Sequence, residues 1–205
     1  MKTYTVHEMF YTLQGEGVNS GRASVFIRFA GCNLWSGRED DRANAVCRFC
    51  DTEFRGGTKY DAASLINAAV AHWPLGAENR FAVLTGGEPL MQVDAKLMSA
   101  LYAAGFTVAI ETNGTLKLPT LIDWVCVSPK AGAPLALTEA NELKLVYPQP
   151  GAMPEDFSSF KAGTRWLSPM DGPDVVANTS AAADYCLAHP EWRLNIQAHK
   201  VWGVR

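Results

Sequence analysis

Cys32, Cys47 and Cys50 fall in one stretch of chain, the last two as Cys47-Arg48-Phe49-Cys50 and the first directly after the apolar run Val25-Phe26-Ile27-Arg28-Phe29-Ala30-Gly31. Thiolates are soft ligands that select zinc, copper(I) or iron–sulfur clusters. A cubane [4Fe–4S] cluster held by only three cysteines keeps one iron open to a non-protein ligand, and that open corner is a place for chemistry. The alternative is a structural zinc ion whose fourth ligand is His7, His72 or His199, since zinc accepts three cysteines and a histidine. Cys126, in Trp124-Val125-Cys126-Val127, and Cys186, in Asp184-Tyr185-Cys186-Leu187, sit in apolar patterns and read as buried structural thiols.

Short apolar runs recur at Val25–Phe29, Phe81–Leu84, Phe106–Ile110, Trp124–Val127, Leu143–Val146, Arg165–Leu167 and Leu194–Ile196, and their composition predicts buried parallel strands. Over Asp61–Trp73, the residues Leu65, Ile66, Ala69, Val70 and Trp73 share one helical face and Asp61 can cap the start. A second helix carries Val93, Leu97, Leu101 and Ala104 and stops at Gly105; a third runs from about Thr179 to Leu187 and ends at His189-Pro190. About six parallel strands with so few helices predict an α/β fold of the incomplete, TIM-like β/α barrel kind. The unusual polar motifs all follow strands: Gly31-Cys32-Asn33, Thr85-Gly86-Gly87-Glu88-Pro89, Glu111-Thr112-Asn113-Gly114, Ser128-Pro129-Lys130, Ser168-Pro169-Met170-Asp171 and Gln197-Ala198-His199-Lys200. In parallel folds of this kind, strand C-termini converge on one rim where active sites are built.

The chain of 205 residues is 48% hydrophobic, which fits a single domain over 1–205 with a segment at about 33–46 inserted between the first two cysteines. A formal net charge of −3 and no long basic run argue against direct binding of nucleic acid or membrane and favour a small-molecule substrate. No stretch is long and apolar enough to span a bilayer, and an odd count of five cysteines, three of them clustered, points to a reducing, cytoplasmic setting.

The cysteine loop closing on Cys-x-aromatic-Cys, followed by Gly-Gly-Glu-Pro after the next strand, resembles the radical S-adenosylmethionine (SAM) enzymes. Fourteen residues, Asn33 to Val46, separate the first two cysteines where three are usual there. Leu13-Gln14-Gly15-Glu16-Gly17, Phe26-Ile27-Arg28-Phe29-Ala30-Gly31-Cys32-Asn33-Leu34, Cys50-Asp51-Thr52 and Gln197-x-His199-Lys200 together resemble the 7-carboxy-7-deazaguanine synthase family, in its group with an enlarged cluster loop. The resemblance implies a [4Fe–4S] cluster on Cys32, Cys47 and Cys50, SAM chelated at the open iron, and a 5′-deoxyadenosyl radical that abstracts hydrogen from C6 of 6-carboxy-5,6,7,8-tetrahydropterin. Ring contraction with loss of ammonia follows, and SAM is regenerated.

For SAM, the resemblance places Phe49 near the adenine, Gly86-Gly87-Glu88 at the methionine ammonium, Ser128-Pro129-Lys130 at the carboxylate and hydroxyls, Glu111 and Asn113 at the ribose, and Ser168-Pro169-Met170-Asp171 along the adenosine. For the pterin, Arg28 suits the carboxylate, because a guanidinium fork matches it in a bidentate way, while Leu13, Gln14, Gly15, Glu16, Thr85 and His199 offer further contacts. Thr52 is the family's position for Mg²⁺, a cation that prefers hard oxygen ligands and keeps its waters. The apolar character of Lys200-Val201-Trp202-Gly203-Val204-Arg205 predicts packing, with the carboxylate of Arg205 placed to accept from the pterin's amino edge. An electron donor such as flavodoxin and a homodimer are implied partners. A glycyl-radical activase, which shares the cluster and SAM sites but needs a broad docking surface, and a zinc-stabilised interaction module without catalysis stand as alternatives.

Overall fold

The computed structural model describes residues 2–205. Strand β1 (Tyr4–Leu13) pairs antiparallel with β2 (Ala23–Phe29) on one edge and with β3 (Thr58–Tyr60) on the other. From β2 onward every pairing is parallel, through β4 (Phe81–Gly86), β5 (Thr107–Thr112), β6 (Trp124–Val127), β7 (Glu139–Tyr147), β8 (Lys161–Pro169) and β9 (Trp192–Leu194). The result is one nine-stranded sheet in the order β3-β1-β2-β4-β5-β6-β7-β8-β9, open at β3 and β9. Each of the seven apolar runs thus contributes to a parallel strand, and two antiparallel strands, β1 and β3, add to them. The apolar-run criterion missed β1 because its strand alternates: Tyr4, Val6, Phe10 and Thr12 are buried, whereas Thr5, His7 and Tyr11 are not.

Few helices accompany the sheet. Helix α1 (Ala62–His72) is capped by Asp61, whose side chain accepts from Ser64 N at 2.8 Å, and α2 (Ala95–Ala103) by Asp94, which accepts from Leu97 N at 2.9 Å. Val93 thus precedes the second helix, although it is buried; Gly105 follows it with φ +79°. The third, α3 (Val175–Ala188), starts earlier than the pattern predicts and buries only Ala182, while a short α4 (Ala198–Trp202) carries the last polar motif. The last expected strand ends at Leu194, leaving Ile196 half exposed.

Period-2 alternation gives the sheet two uses. In β2, Val25, Ile27 and Phe29 are wholly buried in a core shared with Leu65 of α1 and Leu97 and Leu101 of α2, while Phe26 and Arg28 line a cavity. Glu8 and Phe10 of β1, Glu111 of β5, Lys144 and Val146 of β7 and Ser168 of β8 line that same cavity. Full burial of each large aliphatic chain is worth about 1.5–3 kcal/mol, so the core side fixes register and the register aims the polar side. A one-residue slip would turn Arg28 into the core. Among the described residues, no helix is long and apolar enough to cross a membrane.

Candidate active site

The cavity, of about 510 Å³, opens at the C-terminal ends of the parallel strands. Cys32, Cys47 and Cys50 line one part of it, with Phe49 and Thr52 beside them. Cys47 is buried, and the proximity of the Cys47 and Cys50 thiols pushes Cys47 up and Cys50 down. Burial raises the Cys32 thiol as well. Lys130 is half-buried close to Cys47 and Cys50, its ammonium donating to Ser128 O at 2.6 Å and to Ser128 Oγ at 2.8 Å; desolvation lowers its pKa and the nearby sulfurs oppose that. Three thiols on one wall beside a half-buried cation fit a cluster that binds through thiolates and carries net negative charge. No group of three or more His, Cys, Asp or Glu among the described residues is drawn together as ligands of one metal ion. A cluster needs no such group, since each of its irons takes one sulfur.

Gly86 and Gly87 serve this wall. A Cβ on Gly86 would meet Phe29 O at 2.3 Å, and one on Gly87 would meet Gly31 O at 2.2 Å and Cys32 Cβ at 2.8 Å. The Glu88 N–H donates to Gly31 O at 2.9 Å, so the glycine pair presses the turn after β4 against the backbone that carries Cys32. Backbone facing backbone cannot yield as a flexible side chain does. Gly87→Ala is expected to cost about 1–3 kcal/mol of stability and to lower iron uptake, measured by thermal melts and by iron content after reconstitution. Wild-type values for both would contradict the assignment of Gly87 to placing Cys32.

Three of the expected contact residues do not line the cavity. Glu88 is fully buried with its carboxylate turned inward, accepting from Leu90 N at 2.9 Å, Thr112 Oγ1 at 2.8 Å and Asn113 N at 2.8 Å. Burial raises its pKa against those donors, and the side chain ties the turns after β4 and β5 together. Pro129 is buried with its carbonyl facing Gln149. Met170 is held through its backbone by Tyr147 O and Asn178 Nδ2.

The other expected residues line the cavity, many with partners of their own. Asn113 donates to Asn33 Oδ1 at 3.0 Å, Ser168 accepts from Asn195 Nδ2 at 2.8 Å, and Asp171 pairs with Lys200 at 2.5 Å, which lowers the Asp171 pKa. Thr52 donates to Asp51 Oδ1 at 3.2 Å. Gly15 brings the first motif against the last: a Cβ there would meet His199 Nδ1 at 2.3 Å, and Gly15 O accepts from Ala198 N at 3.0 Å. Arg28 donates through Nε to Glu8 Oε1 at 2.8 Å, so the salt bridge exists alongside its place in the cavity. Arg205 is held by Thr12 Oγ1, which donates to its backbone oxygen at 2.8 Å, by an ion pair to Glu8 and by stacking over Phe10. The expected apolar packing of that end is absent, with Val201 and Trp202 exposed.

Sequence reasoning missed Lys144. Its ammonium lies 2.6 Å from Glu16 Oε2 and 2.9 Å from Glu111 Oε2, while Gln197 donates to Glu16 Oε1 at 3.2 Å and Gln14 to Glu111 Oε1 at 3.3 Å. Both oxygens of Glu111, which the resemblance places at the ribose, thus accept hydrogen bonds from this network while the residue lines the cavity. Burial alone would raise the Glu16 pKa, but Lys144 outweighs it and holds Glu16 below the usual range. In the same way burial opposes the Lys144 charge, and Cys126, Glu111 and Glu16 carry its pKa well above the ordinary value. The signal was available: a lysine inside the apolar run Leu143-Lys144-Leu145-Val146 is costly unless paired.

No protein-family model matches the chain. It is 55% identical to 7-carboxy-7-deazaguanine synthase of Bradyrhizobium diazoefficiens, over 99% of this chain and 100% of that one. The synthase of Bacteroides thetaiotaomicron is 40% identical, with 98% of each chain covered. The crystal structure of QueE from Escherichia coli matches with a TM-score of 0.71 at 28% identity, over 96% of this chain and 95% of that one.

Proposed function

The chain belongs to the 7-carboxy-7-deazaguanine synthase family, and from that premise we propose that its cavity converts 6-carboxy-5,6,7,8-tetrahydropterin to 7-carboxy-7-deazaguanine with loss of ammonia. It is a radical SAM lyase of queuosine and deazapurine biosynthesis. Family membership displaces the glycyl-radical activase and the zinc-stabilised module. The observation that carries the reading is one cavity lined at once by three thiols, by Arg28 and by the Glu16–Lys144–Glu111 network.

When bound, the [4Fe–4S] cluster and SAM supply the one-electron cleavage that yields a 5′-deoxyadenosyl radical. Cys32, Cys47 and Cys50 hold the cluster, and Lys130 offsets the negative charge beside them. Phe49, Gly86, Gly87, Asn113, Ser128, Ser168, Pro169 and Asp171 shape the SAM end. At the substrate end Arg28, oriented through Nε by Glu8, presents its two terminal nitrogens to the pterin carboxylate. Glu16 and Glu111, both turned by Lys144, offer acceptors to the guanidine-like edge, with Leu13, Gln14, Gly15, Thr85, His199 and Arg205 closing around it. Thr52, with Asp51 next to it, supplies hard oxygen for Mg²⁺ against the substrate carboxylate.

The open sheet is an incomplete β/α barrel, and residues 1–205 form a single radical SAM core with the 33–46 segment inserted. The protein works in the cytoplasm as a homodimer and takes electrons from a donor such as flavodoxin. Anaerobic incubation of the reduced, reconstituted protein with SAM and 6-carboxy-5,6,7,8-tetrahydropterin tests the activity. Mass spectrometry is expected to find 7-carboxy-7-deazaguanine in excess of the enzyme; its absence would falsify the assignment.

A further inference from the structure

The residues between Cys32 and Cys47 are folded against the ligand turn. A long unstructured loop would return to the cluster loosely, although closing it costs little more than closing a short one. Leu34 and Trp35 are buried, and Leu34 O accepts from both Val46 N at 3.1 Å and Cys47 N at 3.3 Å, which brings the two cysteines' backbones together. Trp35 packs edge-on against Phe54 with ring centroids 5.6 Å apart.

Above Trp35 lies Arg42, carried by the 3-10 turn Glu39–Asn44. Its guanidinium carbon is 4.0 Å from the Trp35 ring centroid, and its Nε donates at 2.8 Å to Glu39. Nη1 donates to Arg48 O at 2.9 Å and to Cys50 O at 3.0 Å. One planar group thus joins the insert to the turn that carries the second and third cysteines. The Arg42 side chain is 28% exposed whereas Glu39 is 76% exposed, so water screens the anion more than the cation beside Cys50.

We infer that Arg42 is a positioning residue for the cluster: it fixes the Cys47–Cys50 turn from the insert side, and its charge favours the reduced cluster. This rests on the reading that the three thiols hold a cluster. Groups that orient metal ligands affect affinity nearly as strongly as the ligands do, and cluster potential responds to net charge and hydrogen bonding nearby. Lysine keeps the charge but lacks the fork that stacks on an aromatic ring while reaching two carbonyls.

The test compares reconstituted wild-type protein with R42M and R42K under anaerobic conditions, reading iron loss to an external chelator and the cluster midpoint potential. Both variants are expected to lose iron roughly tenfold faster or more. The potential should move to more negative values in R42M and stay near wild type in R42K. Wild-type iron retention in R42M, or an unchanged potential in it, overturns the inference. Should R42M fail to fold, R42K decides: faster iron loss than wild type at a near-wild-type potential supports the inference, and a wild-type rate of iron loss overturns it. A wild-type chain that assembles no cluster sinks the underlying reading as well, and is distinguishable because every variant then behaves alike.

Discussion

Cys50→Ser is expected to abolish product formation and to leave the reconstituted protein unable to hold a full iron complement. Serine is nearly the size of cysteine, so packing changes little; what is lost is a soft thiolate that ionises near neutral pH. Cys50 is only partly buried, at the cavity wall, and away from core packing a substitution usually moves stability by no more than about 0.5 kcal/mol. Circular dichroism and melting should therefore stay close to wild type while iron content collapses. Cys126→Ser is the matched control. That thiol is buried on β6, so the variant should melt earlier yet keep its iron. A Cys50→Ser protein with the full iron complement would remove Cys50 from the ligand set.

Lys144→Met should cost both stability and turnover. The ammonium sits between two carboxylates with only 11% of its side chain exposed, and deleting it leaves Glu16 and Glu111 facing one cavity as like charges. Removing one member of a buried ion pair typically costs about 3–5 kcal/mol. If the network grips the pterin as proposed, substrate KM is expected to rise more than the rate of SAM cleavage without substrate falls. The pH dependence follows from the signs. Glu16 has a folded pKa below its unfolded value of about 4.3, so its contribution is complete above that value and disappears as pH falls through the lower folded pKa. Lys144 has a folded pKa above its unfolded value of about 10.4, so its contribution is complete below that value and disappears as pH rises through the higher one. Between those limits wild-type stability from this network should be flat. In Lys144→Met the acid limb should move toward neutral pH, as Glu16 loses its counter-ion. Urea melts from acid to alkaline pH check this; a variant with a wild-type profile and KM would show that Lys144 does not hold the two carboxylates.

Local pattern carried much of the architecture. Strands β4 to β8 and the helices α1 and α2 announce themselves because each buries its apolar residues against near neighbours in sequence, and the polar motifs that follow the strands reach the cavity because parallel strands all point the same way. What escaped was non-local. The partnership of Glu8 with Arg28 depends on the antiparallel register that sets one opposite the other across β1 and β2, and β1 was invisible to a search for continuous apolar runs. Glu88 belongs to the segment that the resemblance places at the methionine ammonium; the burial of its carboxylate follows from Thr112 and Asn113 arriving from the next strand turn. Gly86 and Gly87 do line the cavity, but that an added Cβ on either would meet the backbone of Phe29 or Gly31 is again set by the neighbouring strand and not by local pattern. In the insert, Leu34 and Trp35 are buried and Arg42 is partly so, whereas Arg38, Glu39 and Asp40 are exposed, and local pattern does not separate Arg42 from those neighbouring charges.

The most direct measurement is the electron paramagnetic resonance spectrum of the reduced, reconstituted protein before and after adding SAM. A cluster held by Cys32, Cys47 and Cys50 alone must present one iron to the amino and carboxylate groups of SAM, and the signal should change shape and position on mixing. A reduced cluster whose spectrum is the same with and without SAM would contradict the account at its root.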